Sequence, residues 1–385
     1  MIISIKTDRL NMTLESFRRY FPITSTDIYL NHAAISPLST KVTDAISAVL
    51  EKRSSGVIEI FPELKGIKET LKQNLADLVD AQADYIAIIG NTSEGFNWLV
   101  NGLEWQAGER VLLVENEFPS NIYPFLNLEQ RGVIVDFVPV RQGFIYIEDI
   151  EDNIRPRTRL LSISFVEFLN GFQNQLTDIG RLCREKDILF SVDGIQGVGA
   201  LPLSVQESKI SFLSNGGHKW LMGPQGCGFM YVSPELFKQL KPAFVGWLSV
   251  KDSWNFFDYR LDLLDNAERF EIGTANALGM IGLNASVNLL SEAGVDSISR
   301  HLLKIGDQLI EGLSTIGLEY VGADNHKNRS GIYSFSAENT EGLFNYLKDH
   351  RIHISLRENL LRFSPHFYNT TEEIETVIHV CREFR

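Results

Sequence analysis

Ser214-Asn-Gly-Gly-His-Lys-Trp-Leu-Met-Gly-Pro-Gln-Gly-Cys-Gly228 is the stretch on which the fold turns. The apolar run before it, residues 210–213, predicts a buried strand, so Lys219 falls in a glycine-rich turn directly after a strand. Glycines permit positive φ and close backbone approach. A lysine amine held in a partly desolvated pocket loses basicity and can condense with a carbonyl. Taken alone, the segment also suits a surface turn with a solvated lysine.

Working upstream, Leu189-Phe-Ser-Val-Asp193-Gly-Ile-Gln196 puts a carboxylate at the C-terminal end of an apolar strand, where ligands of parallel sheets bind. Such an acid can pair with a positive ring nitrogen, or serve as an ordinary turn residue. Ile89-Gly-Asn-Thr92-Ser93-Glu94-Gly95 follows another apolar run and opens a helix. Free amides at that helix start, with the Thr92 and Ser93 hydroxyls, suit a phosphate. A simple cap by Thr or Ser with Glu94 nearby is the alternative.

The same alternation extends along the chain. Runs at 85–89, 111–114, 133–138, 160–166 and 188–192 read as buried strands, with a helix at 176–186 between two of them. Apolar strands alternating with helices predict an α/β fold with a mostly parallel sheet covered on both faces. Leu64, Ile67, Leu71, Leu75 and Leu78 mark an amphipathic helix before the first run. After about residue 265 the pattern changes to helices at 275–292 and 295–316, strands near 332–335, 353–356 and 361–363, and a closing helix at 372–384 capped by Thr370 or Thr371. We expect a large domain over 28–265 and a smaller α+β domain over 266–385 that includes residues 1–27, packed closely without a long linker.

Composition narrows the classes. Hydrophobic residues are 44% and charged residues 22%, as in a folded globular chain. The net charge of -13 without a basic patch argues against nucleic acid. Cys183, Cys227 and Cys381 have no CxxC spacing, so neither a disulfide framework nor a metal site is expected. No window suits a membrane span and the N-terminus lacks a signal-peptide core, so a cytoplasmic location is expected.

A phosphate cup at a helix start, a strand-end acid and a lysine in a glycine turn, in that order, resemble the fold type I pyridoxal-phosphate enzymes. Among these the sequence is similar to the class V aminotransferase family, which includes the cysteine desulfurases. The resemblance runs from Tyr29-Leu-Asn-His-Ala-Ala-Ile-Ser-Pro37 to Arg362-Phe-Ser-Pro-His-Phe-Tyr-Asn-Thr370. It implies the cofactor pyridoxal 5'-phosphate, with Lys219 as its Schiff-base lysine and Asp193 as partner of the pyridine nitrogen. Gln196 would face the ring oxygen, His218 would neighbour the lysine and phosphate, and Thr92 and Ser93 would bind phosphate. Gly273-Thr274 would complete the phosphate cup of a neighbouring subunit, implying a homodimer. Arg362 would clamp the substrate carboxylate, with His32 and Ala33 beside the substrate.

Four departures stand out against the desulfurases. Phe118 stands where they carry a histidine over the cofactor face, Gly216 replaces a Ser or Thr, and Phe168 replaces an asparagine near the ring oxygen. Only Glu-Asn-Leu-Leu separates Arg357 from Arg362, with no cysteine in the place of the desulfurase thiol loop. The expectation is an enzyme acting on a small α-amino acid by transamination. A C–S β-lyase and a non-catalytic cofactor-binding protein are the alternatives, and epimerisation by reprotonation at Cα stays open. Gly246-Trp247 either lines the substrate pocket or packs.

Overall fold

The computed structural model describes residues 13–384. Seven strands form the main sheet, in the order Ile86–Ile89, Gly228–Val232, Phe212–Gly216, Leu189–Asp193, Thr158–Ser164, Arg110–Val114, Ile134–Val138. Gly228–Val232 pairs antiparallel with both its neighbours, and the remaining pairings are parallel. Gly228–Val232 returns straight from the glycine turn, with no helix between it and Phe212–Gly216. Six strands therefore point the same way, and their C-terminal ends form one edge.

The expected runs shift at their ends. Tyr85 belongs to a 3-10 turn and the strand begins at Ile86. The 210–213 run becomes Phe212–Gly216, which carries the strand up to the glycine turn itself. The 133–138 run is not buried as expected: it is the edge strand, with Ile134 and Phe137 exposed. Both faces of the sheet are otherwise covered. Phe96, Trp98 and Leu99 of helix Thr92–Gly102 fill one side, and the larger core cluster, which continues into the C-terminal part, fills the other.

The second sheet is antiparallel, in the order Ser355–Arg357, Leu360–Phe363, Tyr333–Ser336, Glu319–Tyr320. Its first two strands are joined by Glu358 and Asn359 alone, both at positive φ (44° and 59°), as a two-residue hairpin requires. Helix Ala277–Ala293 packs against helices Thr40–Ser55 and Phe61–Val79. Helix Val295–Ser314 packs against the closing helix Thr371–Glu383, which Thr370 and Glu373 start with a full capping box.

The N-terminal segment is stitched to the C-terminal part. Phe21 stacks on Tyr368 at 3.9 Å between ring centroids, and Arg18 pairs with Glu373 at 2.6 Å. Ile28–Tyr29 pairs in parallel with Ile352–His353. The chain then crosses to the main sheet, where Ser36 N donates to His218 O and Ser36 Oγ to Lys219 O.

Candidate active site

Four strand ends deliver the chemistry to one edge of the sheet. Val114 leads to Phe118, Ser164 leads to Phe168, Asp193 ends its own strand, and Gly216 leads into the turn that holds Lys219. The turn is rigid: Met222 N and Ser36 Oγ both donate to Lys219 O, and Gly217 N donates to Cys227 O. A Cβ on Gly217 would lie 2.6 Å from Cys227 O, so this position accepts only glycine.

Lys219 is buried, and its amine makes no hydrogen bond or ion pair among the described residues; it lies 5.4 Å from the centre of the Phe118 ring. Burial, aided by the Arg362 and Arg357 charges, brings its pKa down to about 8 despite the opposing pull of Asp193. Asp193, fully buried, is pushed up to about 6 by desolvation, while Ile195 N at 3.0 Å, the Lys219 charge and Ser120 Oγ at 3.2 Å favour its ionised form. His218 is half-buried, and burial beside Lys219 lowers its basicity.

At the start of helix Thr92–Gly102 the cap is Asn91, whose side chain accepts from Glu94 N. Neither Thr92 nor Ser93 does that work, which corrects the simple capping alternative. The buried Thr92 hydroxyl has no partner, and Ser93 is exposed. An orphaned hydroxyl at a helix N-terminus suits an anionic ligand. Gly216 has its own counterpart: a Cβ there would meet Ile195 Cδ1 at 3.0 Å, so Ile195 takes up the space of the missing side chain.

Arg362 lies in the second sheet, opposite both Ser334 and Ser355, and its side chain is almost fully buried. Nη1 donates to Phe168 O at 2.6 Å, while buried Nε has no partner. No carboxylate lies within ion-pairing distance of this guanidinium among the described residues, so it is available to a carboxylate ligand.

Three further positions that the resemblance implies have these surroundings. His32 is fully buried, with Nδ1 bonded to Ser364 O and Nε2 to Tyr368 OH, both at 2.8 Å. Burial holds the ring neutral, so one nitrogen donates, the other accepts, and none is left for a substrate. Gln196 donates to Ala33 O and accepts from Trp220 Nε1, which leaves one amide hydrogen free. Gly273 and Thr274 line a groove of about 680 Å³ with Phe61, Lys68, Trp254 and Met280, apart from the Lys219 cluster. Trp247 packs edge-on to Trp254 in that same region.

Two buried acids escaped the sequence reading. Glu117 accepts from Ser164 N at 2.5 Å and Ser164 Oγ at 2.6 Å. Glu167 accepts from Asn174 Nδ2 at 2.7 Å. Burial raises both pKa values, helped by the Asp193 charge at Glu117 and by the Glu117 and Asp193 charges at Glu167. The signal available beforehand was the dipeptide Glu-Phe, which follows two separate strands at 117–118 and 167–168.

The Aminotransferase class-V family profile matches residues 28–377. This chain belongs to that family. It is a pyridoxal-phosphate-dependent enzyme of the transferase or lyase type, and the lysine, acid, orphaned hydroxyl and unpaired guanidinium fit the cofactor and an amino acid. A probable cysteine desulfurase of Methanothermobacter thermautotrophicus is 29% identical over 97% of this chain and 98% of its own length. The uncharacterized aminotransferase YcbU of Bacillus subtilis is 26% identical over 94% and 96%. The apo cysteine desulfurase of Thermococcus onnurineus superposes with a TM-score of 0.89 at 26% identity, covering 97% of this chain and 98% of that one.

Proposed function

We propose that this family member transfers the amino group of a small α-amino acid and does not act as a persulfide-forming desulfurase. The observation that carries this reading is the two-residue hairpin at Glu358-Asn359, which leaves no loop between Arg357 and Arg362 to present a thiol. The three cysteines lie elsewhere and are buried, and desolvation pushes each thiol up to about 12, far from a reactive thiolate.

The chain's own groups divide the work. Lys219 would hold pyridoxal phosphate, with Thr92, Ser93 and His218 at its phosphate side, Asp193 at its ring nitrogen, Gln196 beside the ring oxygen and Phe118 against the ring. When bound, the cofactor supplies an electron-withdrawing ring that takes up the electron pair released at Cα. Arg362 binds the α-carboxylate through its paired N–H groups. Lys219, with a pKa of about 8, accepts the Cα proton and returns it. Asp193 must stay anionic to hold a protonated ring nitrogen, which its bonds to Ile195 N and Ser120 favour. We leave His32 out of the substrate-binding set and assign it to bracing the 28–37 segment.

A C–S lyase is the second reading, supported by the sulfur-amino-acid names of the 29%-identical relatives. An amino-acid panel assayed separately for 2-oxo acid, ammonia and sulfide separates the two. Amino-group transfer to an oxo-acid acceptor supports the first reading; ammonia with sulfide, and no acceptor requirement, overturns it. A purely cofactor-binding role would show no product at all.

We also infer a homodimer working in the reducing cytoplasm. Trp254, which lines the Gly273-Thr274 groove, and Phe256, which packs on it, are exposed in the single chain, as are Phe257, Tyr259 and Leu261, which supports a covering second copy. Thr274→Ala should then weaken cofactor retention in a protein that remains dimeric by light scattering. Unchanged retention would sink the shared-cup reading.

A further inference from the structure

Phe118 and Phe168 meet edge to face, with ring centroids 5.4 Å apart and an interplanar angle of 75°. Phe118 lies near Lys219 through its ring, and Phe168 meets Arg362 through its backbone carbonyl. The Lys219 amine lies 5.4 Å from the Phe118 ring centre. The Phe168 carbonyl accepts Arg362 Nη1 at 2.6 Å. The Phe118 ring thus lies beside Lys219, and the Phe168 ring packs against it on a loop whose backbone holds Arg362.

The pair is held rigidly from behind. Glu117, next to Phe118, is fixed by Ser164 N and Oγ. Glu167, next to Phe168, is fixed by Asn174 Nδ2, which also donates to Ser164 O, and its backbone bonds to Phe172 O and Gly171 N. Both acids thus converge on Ser164, whose strand partner is Asp193. Two Glu-Phe dipeptides turn their acids inward and their rings toward the site. Phe118 is 43% exposed and Phe168 half-buried; with the cofactor against one part of Phe118, the edge it shares with Phe168 is what remains for a substrate side chain.

We propose that the substrate is an α-amino acid with an apolar, preferentially aromatic, side chain, and that the Phe118–Phe168 wall selects it. Against this wall an apolar group sheds water favourably, and an aromatic one adds edge-to-face contact. A thiol or carboxylate loses hydration there without a partner. Arg357 is the one charge that argues otherwise: exposed and close enough to influence both Lys219 and Arg362, it would suit a dicarboxylic amino acid.

The inference rests on the cofactor and clamp roles proposed above, so its test begins by establishing them. The full-length protein is loaded with pyridoxal phosphate, and borohydride trapping with mass spectrometry locates the cofactor on Lys219. Calorimetry then compares propionate, 3-phenylpropionate and succinate, carboxylates that have no amine and cannot react. The expected result is that 3-phenylpropionate binds at least about tenfold more tightly than propionate, the scale of added apolar contact in a hydrophobic pocket, with succinate no tighter than propionate. Phe168→Asn should erase the preference for 3-phenylpropionate over propionate. If that variant does not fold, Phe118→Leu should reduce the preference at least threefold. Equal affinities for propionate and 3-phenylpropionate on loaded protein would overturn the inference and leave the cofactor assignment standing. Tightest binding of succinate would overturn it in favour of Arg357. Failure of trapping at Lys219 would remove both readings together.

Discussion

Lys219 carries opposing influences that can be separated by experiment. Burial and two guanidinium groups bring its pKa from 10.5 to about 8, and the Asp193 carboxylate resists them. That difference is worth roughly 3 kcal/mol in favour of the neutral amine. At pH 7.4 about 20% of Lys219 is then neutral, against about 0.1% for a lysine at its ordinary value. Asp193 titrates near 6 and is ionised at that pH, so Asp193→Asn removes a stabilising negative charge. The Lys219 midpoint should fall further, by about one unit. Arg357→Gln removes a repelling positive charge and should raise it by a few tenths, the smaller effect because Arg357 is exposed and screened by salt. Competitive acetylation of cofactor-free protein from pH 6 to 11, read at Lys219 by mass spectrometry, gives all three midpoints. A wild-type midpoint near 10.5, or an upward shift in Asp193→Asn, would refute the electrostatic account. Opposite shifts in the two variants are difficult to obtain from a general loosening of the site.

Glu117 has a raised pKa, so the folded protein binds its proton more tightly than the unfolded chain, and its contribution to stability falls as pH rises through the interval above 4.5. Glu117→Gln should therefore gain thermal stability over wild type at pH 8 and little at pH 4.5, and a constant difference between the two pH values would count against this. Glu373→Ala loses the Arg18 pair, the Asn369 bond and the capping box at once, so it should lower stability by about 2–3 kcal/mol, measured by denaturant unfolding. A loss within the scatter of surface mutants would show that the N-terminal segment is not held there. Cys183→Ala, Cys227→Ala and Cys381→Ala combined should keep turnover on the true substrate; loss of turnover in a folded, cofactor-loaded dimer, with persulfide on the wild type, would restore the desulfurase reading.

Local patterns carried most of the main sheet. Apolar runs separated by helical stretches marked six of its strands, because a strand buried on both faces is nearly all apolar. The edge position of Ile134–Val138 was not legible, since Ile134 and Phe137 look like core residues and only their place at the sheet margin exposes them. Nor was the pairing of Ile28–Tyr29 with Ile352–His353, which depends on closing more than 300 residues of chain rather than on any local signal. The turn at Glu358-Asn359 shows the opposite case: four residues between two arginines already excluded a long loop, and positive φ at both turn residues shows how the chain closes it.

At the site, residue type identified Lys219, Asp193 and Arg362, but partners decided what several neighbours do. Asn91 takes the helix cap and thereby leaves the Thr92 hydroxyl unpaired, so the residue next to the expected cap makes the anion site possible. His32 has the right chemistry for a ligand, yet Ser364 and Tyr368 use both its nitrogens. Glu117 and Glu167 have the composition of surface residues and are buried because Ser164 and Asn174 bind them. These are all questions of which polar atoms remain free after folding, and a sequence lists the groups without pairing them. The same accounting explains why the replacements at 118 and 168 matter together. A histidine and an asparagine would add ring nitrogens and an amide beside the substrate, whereas two phenylalanines remove every such atom and meet each other instead. Where those two residues stand the site offers apolar surface, and a side chain that reaches them gains no hydrogen bond from either ring.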